Sequence, residues 1–248
     1  MKILIIRHGD PDYSIDSLTE KGWREAECLS ERLAEMDIGD VYCSPLGRAK
    51  DTAKAYLEKT GKEMKILPWL HEFSGTIIRP ESGKKGHPWD FNPTFWTKDE
   101  KLFTKSTWLD ADIMKTGNVK EVYEETVSGI DSLLSAYGYK RDGYIYKCDN
   151  NNRDTIAIFC HYALGMMIVS HFTGISPTLL WQGIFLPPTS ITTVITEERV
   201  KGEIFFKCKQ IGDTSHLYVK GEPVSNSGLY NEIYSETSID GAKLGHEL

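Results

Sequence analysis

The chain has 248 residues, of which 40% are hydrophobic and 26% charged, and its formal net charge is -7. These values are typical of one globular unit with a large core. The acidic balance argues against nucleic-acid binding, because such surfaces normally carry a basic patch or stripe.

The cysteines and the apolar runs indicate in which cellular compartment the protein resides. The five cysteines are odd in number and include no C-x-x-C pair, so the sequence predicts no disulfide framework and favours a reducing environment. No apolar run is long enough to span a membrane. The first predicted strand begins at Lys2 and leaves no room for a signal peptide. We therefore expect a cytoplasmic protein that binds neither nucleic acid nor membrane.

The first apolar run, residues 2–6, predicts a buried parallel strand because it is short and rich in β-branched residues. Arg7, His8 and Gly9 follow at its carboxyl end, where open α/β sheets bind their ligands. A histidine there can act as a nucleophile, an arginine can hold two phosphoryl oxygens, and a glycine lets a ligand approach the backbone. Alone, such a tripeptide could arise by chance, so the prediction depends on the rest of the chain.

A loop and a helix come next. Residues 10–17 contain three aspartates, which we expect to be solvated in Asx-type turns, or else to pair with Arg24 or a lysine. Apolar periodicity predicts the first helix over residues 19–36. Either Ser17 or Thr19 can be its N-cap.

A second strand, residues 40–43, precedes a candidate anion ligand. Ser44 suits an N-cap and Pro45 the first helical position, so we predict a helix over residues 45–59. Arg48 then lies in the first turn, where a cation is unfavourable unless an anion lies nearby. The alternative to an anion ligand is that Arg48 is a solvated surface arginine.

Glu72 follows a short predicted strand near residues 64–67 and lies in an apolar loop segment, so it is either a proton donor or an ordinary loop glutamate. His71 and Glu72 begin like an H-E-x-x-H motif, but position 75 is glycine, and the sequence predicts no metal site. Residues 73–120 predict a long irregular insert with three tryptophans and at most one short helix. Its aromatic side chains either pack a small core, the simpler interpretation, or form a substrate wall.

The remaining elements continue the β–α alternation of α/β proteins. His161 lies at a strand's carboxyl end, where it can bind an anion or simply cap the following helix. A predicted antiparallel hairpin at the edge of the sheet would leave a strand for pairing in a homodimer, and residues 221–248 predict a loosely held polar tail. The predicted ranges are a helix at 121–137, a strand at 155–159, helices at 163–172 and 177–181, and hairpin strands at 190–196 and 203–210.

This ordered set of motifs resembles the histidine phosphatase superfamily, also called phosphoglycerate mutase-like. The resemblance covers residues 1–217, apart from the insert. Its segments are Arg7-His8-Gly9, Leu18-Thr19-Glu20-Lys21-Gly22, Ser44-Pro45-Leu46-Gly47-Arg48-Ala49 with Thr52-Ala53, Leu70-His71-Glu72, His161, and Gly212 to Leu217. No single segment is decisive, whereas the ordered set is specific.

The resemblance implies a phosphoglycerate mutase-like fold, a three-layer α/β/α sandwich with a mostly parallel central sheet. The domain would cover residues 1–220, with a lid-like insert at about 73–120 and a polar tail at 221–248. It also implies a histidine acid phosphatase-type hydrolase that uses no cofactor and no metal. Its partner would be a small-molecule phosphate ester.

The implied chemistry is a two-step phosphoryl transfer. His8 would attack phosphorus, and Glu72 would protonate the leaving oxygen and then activate water. The phosphoryl oxygens would be bound by Arg7, Arg48 and His161. Relatives often add a short polar side chain from the loop after Arg-His-Gly, and Ser14 is the candidate here.

Three functions remain open: a phosphatase, a cofactor-dependent phosphoglycerate mutase, and a non-catalytic binding protein on the same fold. Residues 44–49 look closer to the phosphatase branch, and Glu72 is followed by Phe-Ser-Gly rather than the mutase-like Arg-His-Tyr-Gly. The intact set of five site residues argues against the binding protein.

Substrate identity is not specified by the sequence. Some side chains of the insert could meet a second anionic group or be solvated surface charges, namely Arg79, Lys84, Lys85 and His87.

Overall fold

The computed structural model describes residues 1–233, in which twelve β-strands and seven α-helices occur. The strands are β1 (Lys2–Arg7), β2 (Pro11–Asp12), β3 (Ser17–Leu18), β4 (Asp40–Cys43), β5 (Met64–Ile66), β6 (Ile77–Ile78), β7 (Lys85–Gly86), β8 (Lys140–Asp142), β9 (Ile145–Lys147), β10 (Thr155–Cys160), β11 (Ile191–Val200) and β12 (Glu203–Asp213). The α-helices are α1 (Glu20–Ala34), α2 (Gly47–Thr60), α3 (Pro93–Trp96), α4 (Val119–Ser135), α5 (Tyr162–Thr173), α6 (Pro177–Gly183) and α7 (Ser215–Lys220). Short 3₁₀ segments span Pro68–Leu70, Glu100–Phe103, Trp108–Asp110 and Asp112–Thr116.

An eight-stranded sheet forms the centre of the fold, in the order β5-β4-β10-β1-β11-β12-β9-β8. Strand β1 runs parallel to β10, with Arg7 opposite Cys160, and β10 runs parallel to β4. The carboxyl ends of these three neighbouring strands therefore lie side by side. This register places the residues that follow each strand, His8, Ser44 and His161, at one edge of the sheet.

The sheet is mixed rather than mostly parallel. Strand β11 pairs antiparallel with β1, and β12 pairs antiparallel with both β11 and β9. The β11–β12 hairpin is thus interior to the sheet, and the prediction that it forms an edge was wrong. No local pattern predicts β8 and β9, because each is only three residues long and β8 consists of charged residues.

Two apolar clusters cover opposite faces of the sheet, which confirms the three-layer α/β/α class. Successive side chains of strand β1 point to opposite faces of the sheet, so β1 contributes to both clusters: Ile3 and Ile5 join one, and Leu4 and Ile6 join the other. The first cluster packs against α4, α5 and the insert. The second packs against α1 and α2.

The helix starts show which capping predictions hold. Thr19 is the N-cap of α1, and its side chain accepts a hydrogen bond from the Gly22 N–H. Helix α2 begins at Gly47, with Leu46 as an N-cap that makes no side-chain bond. The prediction that Ser44 caps this helix was wrong, because Ser44 precedes the cap by two residues and its hydroxyl contacts a histidine instead.

The insert and the described part of the tail both pack on the domain. Within the insert, Trp108 is fully buried in the main cluster, whereas Trp96 is only partly buried against it. Of the predicted tail, residues 234–248 lie outside the described residues. Glu222 of the described part pairs with Lys21 at 3.3 Å and Arg24 at 3.0 Å. Among residues 1–233, no helix combines the length and apolarity needed to cross a membrane.

Candidate active site

A cavity of about 1100 Å³ opens at the carboxyl ends of the parallel strands. Four of the predicted site residues line it: Arg7, His8, Arg48 and Glu72. The fifth, His161, lies next to it, with its ring centroid 5.2 Å from that of His8. The structure therefore brings together five residues that are dispersed along the sequence.

His8 is buried, and its ring orientation is fixed by its own backbone neighbour. Nδ1 lies 2.8 Å from the Gly9 carbonyl oxygen. Because a carbonyl can only accept, Nδ1 carries the proton and donates it. Burial, together with the charges of Arg7 and Arg48, holds the pKa of His8 well below its usual range. The imidazole is therefore neutral near pH 7, and the lone pair lies on Nε2.

Arg7 is held in place by two backbone carbonyls. Its Nη1 donates to Leu186 O at 2.5 Å, and its Nη2 donates to Ser227 O at 3.1 Å. The rings of Tyr162 and Phe185 flank the guanidinium at 5.8 and 5.7 Å. Its Nε is buried and has no hydrogen-bond partner among the described residues.

Arg48 is held by a carboxylate from the loop after β1. Asp16 Oδ1 accepts from Arg48 Nη1 at 2.6 Å, and Asp16 Oδ2 accepts from the Gly47 N–H at 2.6 Å. The loop approaches so closely that a Cβ on Gly47 would lie 2.1 Å from the Asp16 carbonyl oxygen. The expectation that this loop's aspartates are solvated, or pair with Arg24 or a lysine, was therefore wrong for Asp16. Arg48 Nε has no partner in the described part of the chain.

His161 is fully buried. Its Nε2 lies 2.7 Å from Ser44 Oγ, and the Ser44 oxygen accepts a hydrogen bond from the Leu46 N–H at 3.2 Å. Burial and the proximity of His8 hold the pKa of His161 well below its usual range. Its Nδ1 has no hydrogen-bond partner within residues 1–233.

Glu72 is positioned by the start of α5. Its Oε1 accepts from the N–H groups of Phe73 at 2.8 Å and Leu164 at 3.0 Å. Its Oε2 lies 3.4 Å from the Ala163 N–H. These bonds fix a carboxyl group at the cavity wall, on the same side of the sheet edge as His8.

Three buried polar atoms at this site lack a partner among the described residues: Arg7 Nε, Arg48 Nε and His161 Nδ1. An unsatisfied buried polar group costs about 1–3 kcal/mol, and more if charged. Arginine and the Nδ1–H tautomer of histidine both donate, so an anion with several oxygens is the kind of ligand that such groups bind. The site thus fits a tetrahedral oxyanion.

Ser14 lies outside this arrangement. Its side chain is exposed, and its hydroxyl donates to Asp12 Oδ1 at 2.6 Å. It is not among the residues that line the cavity. A type of local turn, in which an aspartate accepts from the residue two positions on, explains this orientation.

Several functional residues escaped the sequence analysis. Ser227, Gly228 and Tyr230 come from the predicted tail, yet they contact Arg7 or line the cavity. The Tyr230 hydroxyl donates to Asp90 of the insert, and Ser225 donates to Asp10 beside the site. The polar composition of this segment resembles that of a disordered tail and contains no signal for these contacts.

Within residues 1–233, no group of three or more histidine, cysteine, aspartate or glutamate side chains is arranged to hold a metal ion. The positive charge at the site comes instead from two guanidinium groups.

Comparisons with known proteins agree with this geometry. A model of the histidine phosphatase superfamily (branch 1) matches residues 3–86. A probable phosphatase of Schizosaccharomyces pombe is 37% identical over 239 residues, covering 88% of this chain and 95% of the relative. The chain belongs to the histidine phosphatase superfamily. The resemblance inferred from the motifs is thereby confirmed.

A further relative by sequence and a solved structure also match. A 2,3-bisphosphoglycerate-dependent phosphoglycerate mutase of Thermoplasma acidophilum is 37% identical over 75 residues, 26% of this chain and 38% of the relative. A mutant phosphoserine phosphatase of Entamoeba histolytica, solved in complex with phosphoserine, matches with a TM-score of 0.58 at 18% identity, covering 87% of this chain and 98% of that one. This structural likeness supports the superfamily fold.

Proposed function

We propose that this protein is a phosphomonoesterase that hydrolyses a phosphorylated metabolite through a phosphohistidine at His8. The observation that carries the proposal is a neutral, oriented imidazole on one cavity with two arginines, beside which His161 lies; Arg7, Arg48 and His161 each keep one buried polar atom without a partner among the described residues. The similarity to a probable phosphatase over nearly the whole chain supports the same reaction class.

In the first step, the lone pair of His8 Nε2 attacks phosphorus and the bond to the leaving oxygen breaks. Glu72, in its protonated form, gives its proton to that oxygen, so the product leaves as a neutral alcohol. Arg7, Arg48 and His161 donate to the phosphoryl oxygens, where charge is concentrated in phosphoryl transfer. Because these groups are held before substrate arrives, little reorganisation is needed in the transition state.

In the second step, the Glu72 carboxylate takes a proton from water as the water oxygen attacks the phosphohistidine. The nitrogen–phosphorus bond breaks, and inorganic phosphate and neutral His8 are released. The same carboxyl group thus serves as acid and then as base, and it ends in its starting protonation state. The covalent intermediate divides one difficult displacement into two easier ones.

A phosphoglycerate mutase is the second candidate, since a Thermoplasma acidophilum mutase matches 75 residues of the chain. A mutase must hold a substrate with a second anionic group. Beyond the phosphate end, the charged side chains of the cavity wall are Arg79, which is paired with Asp90 at 2.7 Å, and Glu81. This wall favours the phosphatase.

The compartment belongs to the same proposal. All five cysteines are free thiols, which suits the reducing cytoplasm.

The test is purified protein in excess EDTA against a panel of phosphomonoesters, and against 3-phosphoglycerate with and without 2,3-bisphosphoglycerate. Phosphate release and isomer formation are followed together. We expect phosphate release that the chelator does not affect and that is lost in His8→Ala. Isomer formation without phosphate release would establish the mutase, and full activity in His8→Ala would refute the phosphohistidine.

A further inference from the structure

We infer that the substrate is a phosphate monoester whose organic part carries a flat ring system and no second anionic group. The inference rests on the proposed function and narrows it to a substrate class. It follows from the size of the cavity, the aromatic corner in its wall, and the charges of the distal wall.

The cavity is much larger than its phosphate end requires. Its volume is about 1100 Å³, whereas pockets for drug-sized ligands measure about 300–1,000 Å³. Arg7, His8 and Arg48 line only one end of it. The rest is available for an organic group the size of one or two fused rings with substituents.

Two aromatic side chains form a fixed corner in this space. Trp89 of the insert and Tyr162 at the start of α5 both line the cavity, and their rings meet edge to face at 85° with centroids 6.4 Å apart. The His87 ring stacks on Trp89 at 4.8 Å and 6°. The Trp89 indole N–H donates to Phe73 O at 3.4 Å. These contacts hold the indole in one orientation.

Tyr162 is fixed from the other side. Its hydroxyl contacts Trp181 O, and it also lies 3.0 Å from Ile184 O. Its ring lies beside the Arg7 guanidinium, 5.8 Å from centroid to Cζ. A flat ring linked to a phosphoryl group bound at Arg7 would therefore meet pre-oriented aromatic surfaces at short range. Such surfaces favour offset or edge-to-face contact with another ring.

The net charge of the distal wall disfavours a second anion. Arg79 Nη2 lies 2.7 Å from Asp90 Oδ2, and Arg79 Nε has no hydrogen-bond partner among the described residues. Asp90 also accepts from the Tyr230 hydroxyl, which joins the insert to the C-terminal segment. Glu81 adds a negative charge to the same wall. A carboxylate or second phosphate on the substrate would meet two carboxylates and a single arginine, so the net charge of these three side chains repels it.

The experiment compares esters of primary alcohols that differ in their organic part: ethyl phosphate, 2-naphthylmethyl phosphate, and 2-naphthylmethyl phosphate with a carboxylate on the remote ring. The variants are Trp89→Ala and a matched control, Trp96→Ala, which removes an indole of the insert that does not line the cavity. Ratios of kcat/KM between esters are measured within each variant. A general loss of folded protein cancels in these ratios.

We expect wild-type protein to prefer the naphthylmethyl ester over the ethyl ester by about tenfold or more. Trp89→Ala should reduce this ratio about tenfold, and Trp96→Ala should keep it. The carboxylated ester should be disfavoured about tenfold relative to the uncharged ring ester, and Asp90→Asn, which releases Arg79, should narrow that difference.

Each outcome is decisive. Equal turnover of ethyl and naphthylmethyl phosphate, or an equal loss of preference in both tryptophan variants, would overturn the ring-bearing substrate while leaving the phosphatase intact. Preference for the carboxylated ester would overturn the exclusion of a second anion. No phosphate release from any ester, with correctly folded protein, would instead refute the proposed function itself.

Discussion

Asp16 Oδ1 lies 2.6 Å from Nη1 of Arg48, and the same carboxylate accepts from the Gly47 N–H. Asp16 has a φ of 48°, in the left-handed region. A loop residue in a strained backbone conformation thus fixes the position of Arg48 at the start of α2, the arginine that we propose binds phosphate. The loop after β1 serves the site through this carboxylate.

Replacing Asp16 should therefore impair catalysis with little effect on folding. Asn tolerates the left-handed conformation, so Asp16→Asn removes the charge without adding backbone strain. Loss of a hydrogen bond to a charged group costs about 1.5–3 kcal/mol, which corresponds to about 10–100-fold in kcat/KM. We expect kcat to fall more than KM rises. The control is Asp12→Asn, since the Asp12 side chain bonds with Ser14 of the same loop and with no other side chain in the described part of the chain. Equal effects of the two changes would contradict this role.

Ser44 should position His161 in the same way. The hydroxyl is the partner of Nε2 at 2.7 Å, and donation from Ser44 leaves the ring proton on Nδ1. Ser44→Ala removes this constraint, and we expect kcat to fall about tenfold, as for a weakened transition-state donor, with a changed pH profile. Ser30→Ala is the matched control, because Ser30 is also buried but bonds to Glu27 O in α1. A kcat and pH profile unchanged from wild type in Ser44→Ala would refute the role.

Glu25 should make the free energy of unfolding depend on pH. Burial raises the pKa of this carboxyl to about 7, and its Oε2 accepts from the Asp10 N–H. Since the folded value exceeds the ordinary value, the folded state binds more protons, and stability falls as pH rises from about 4.5 to 7. At about 1.4 kcal/mol per unit of pKa, the loss is about 3 kcal/mol.

Glu25→Gln removes this titration and keeps an oxygen that can accept from Asp10. We expect the variant to gain stability relative to wild type at pH 8 and to show no such gain at pH 4.5. Urea unfolding at both pH values measures the difference. The exposed Glu20→Gln on the same helix is the control. A gain of equal size at both pH values would show that the carboxyl does not titrate in this range.

The C-terminal segment should be required for turnover. Ser227 O accepts from Arg7, Ser225 donates to Asp10, and Tyr230 donates to Asp90. A chain that ends at Gly221 loses all three contacts and opens one wall of the cavity. We expect kcat/KM to fall tenfold or more, because losing one or two hydrogen bonds to a charged group costs about that much transition-state stabilisation. The control ends at Ile233 and retains every one of these contacts; equal activity of the two truncations would contradict the prediction.

The strand-end residues could be predicted from the sequence because their positions follow from local patterns. A short apolar run predicts a buried strand, and a polar residue after it must lie at the sheet edge. Arg7, His8 and His161 were located in this way. The parallel pairing of β1 with β10 then brings them together.

The supporting contacts could not be predicted, because they join segments that no local pattern relates. Asp16 and Arg48 are 32 positions apart, Ser44 and His161 are 117 apart, and Arg7 and Ser227 are 220 apart. Each depends on a loop conformation that only the complete fold determines. The place of the β11–β12 hairpin inside the strand order likewise depends on two strands of three residues, of which β9 pairs only with Glu203 and Ile204 of β12.

The pairing of β1 also bears on how the protein is synthesised. This strand leads directly to His8, and its neighbours are β10 and β11, so Lys2 can pair only after Thr155 and Ile195 have been synthesised. At about 5–20 residues per second, translation needs about 8–30 seconds to supply the first of these partners. During that time an apolar strand lacks its partner strands and is exposed to aggregation. His8 therefore leaves the ribosome well before the two strands that flank β1 in the sheet.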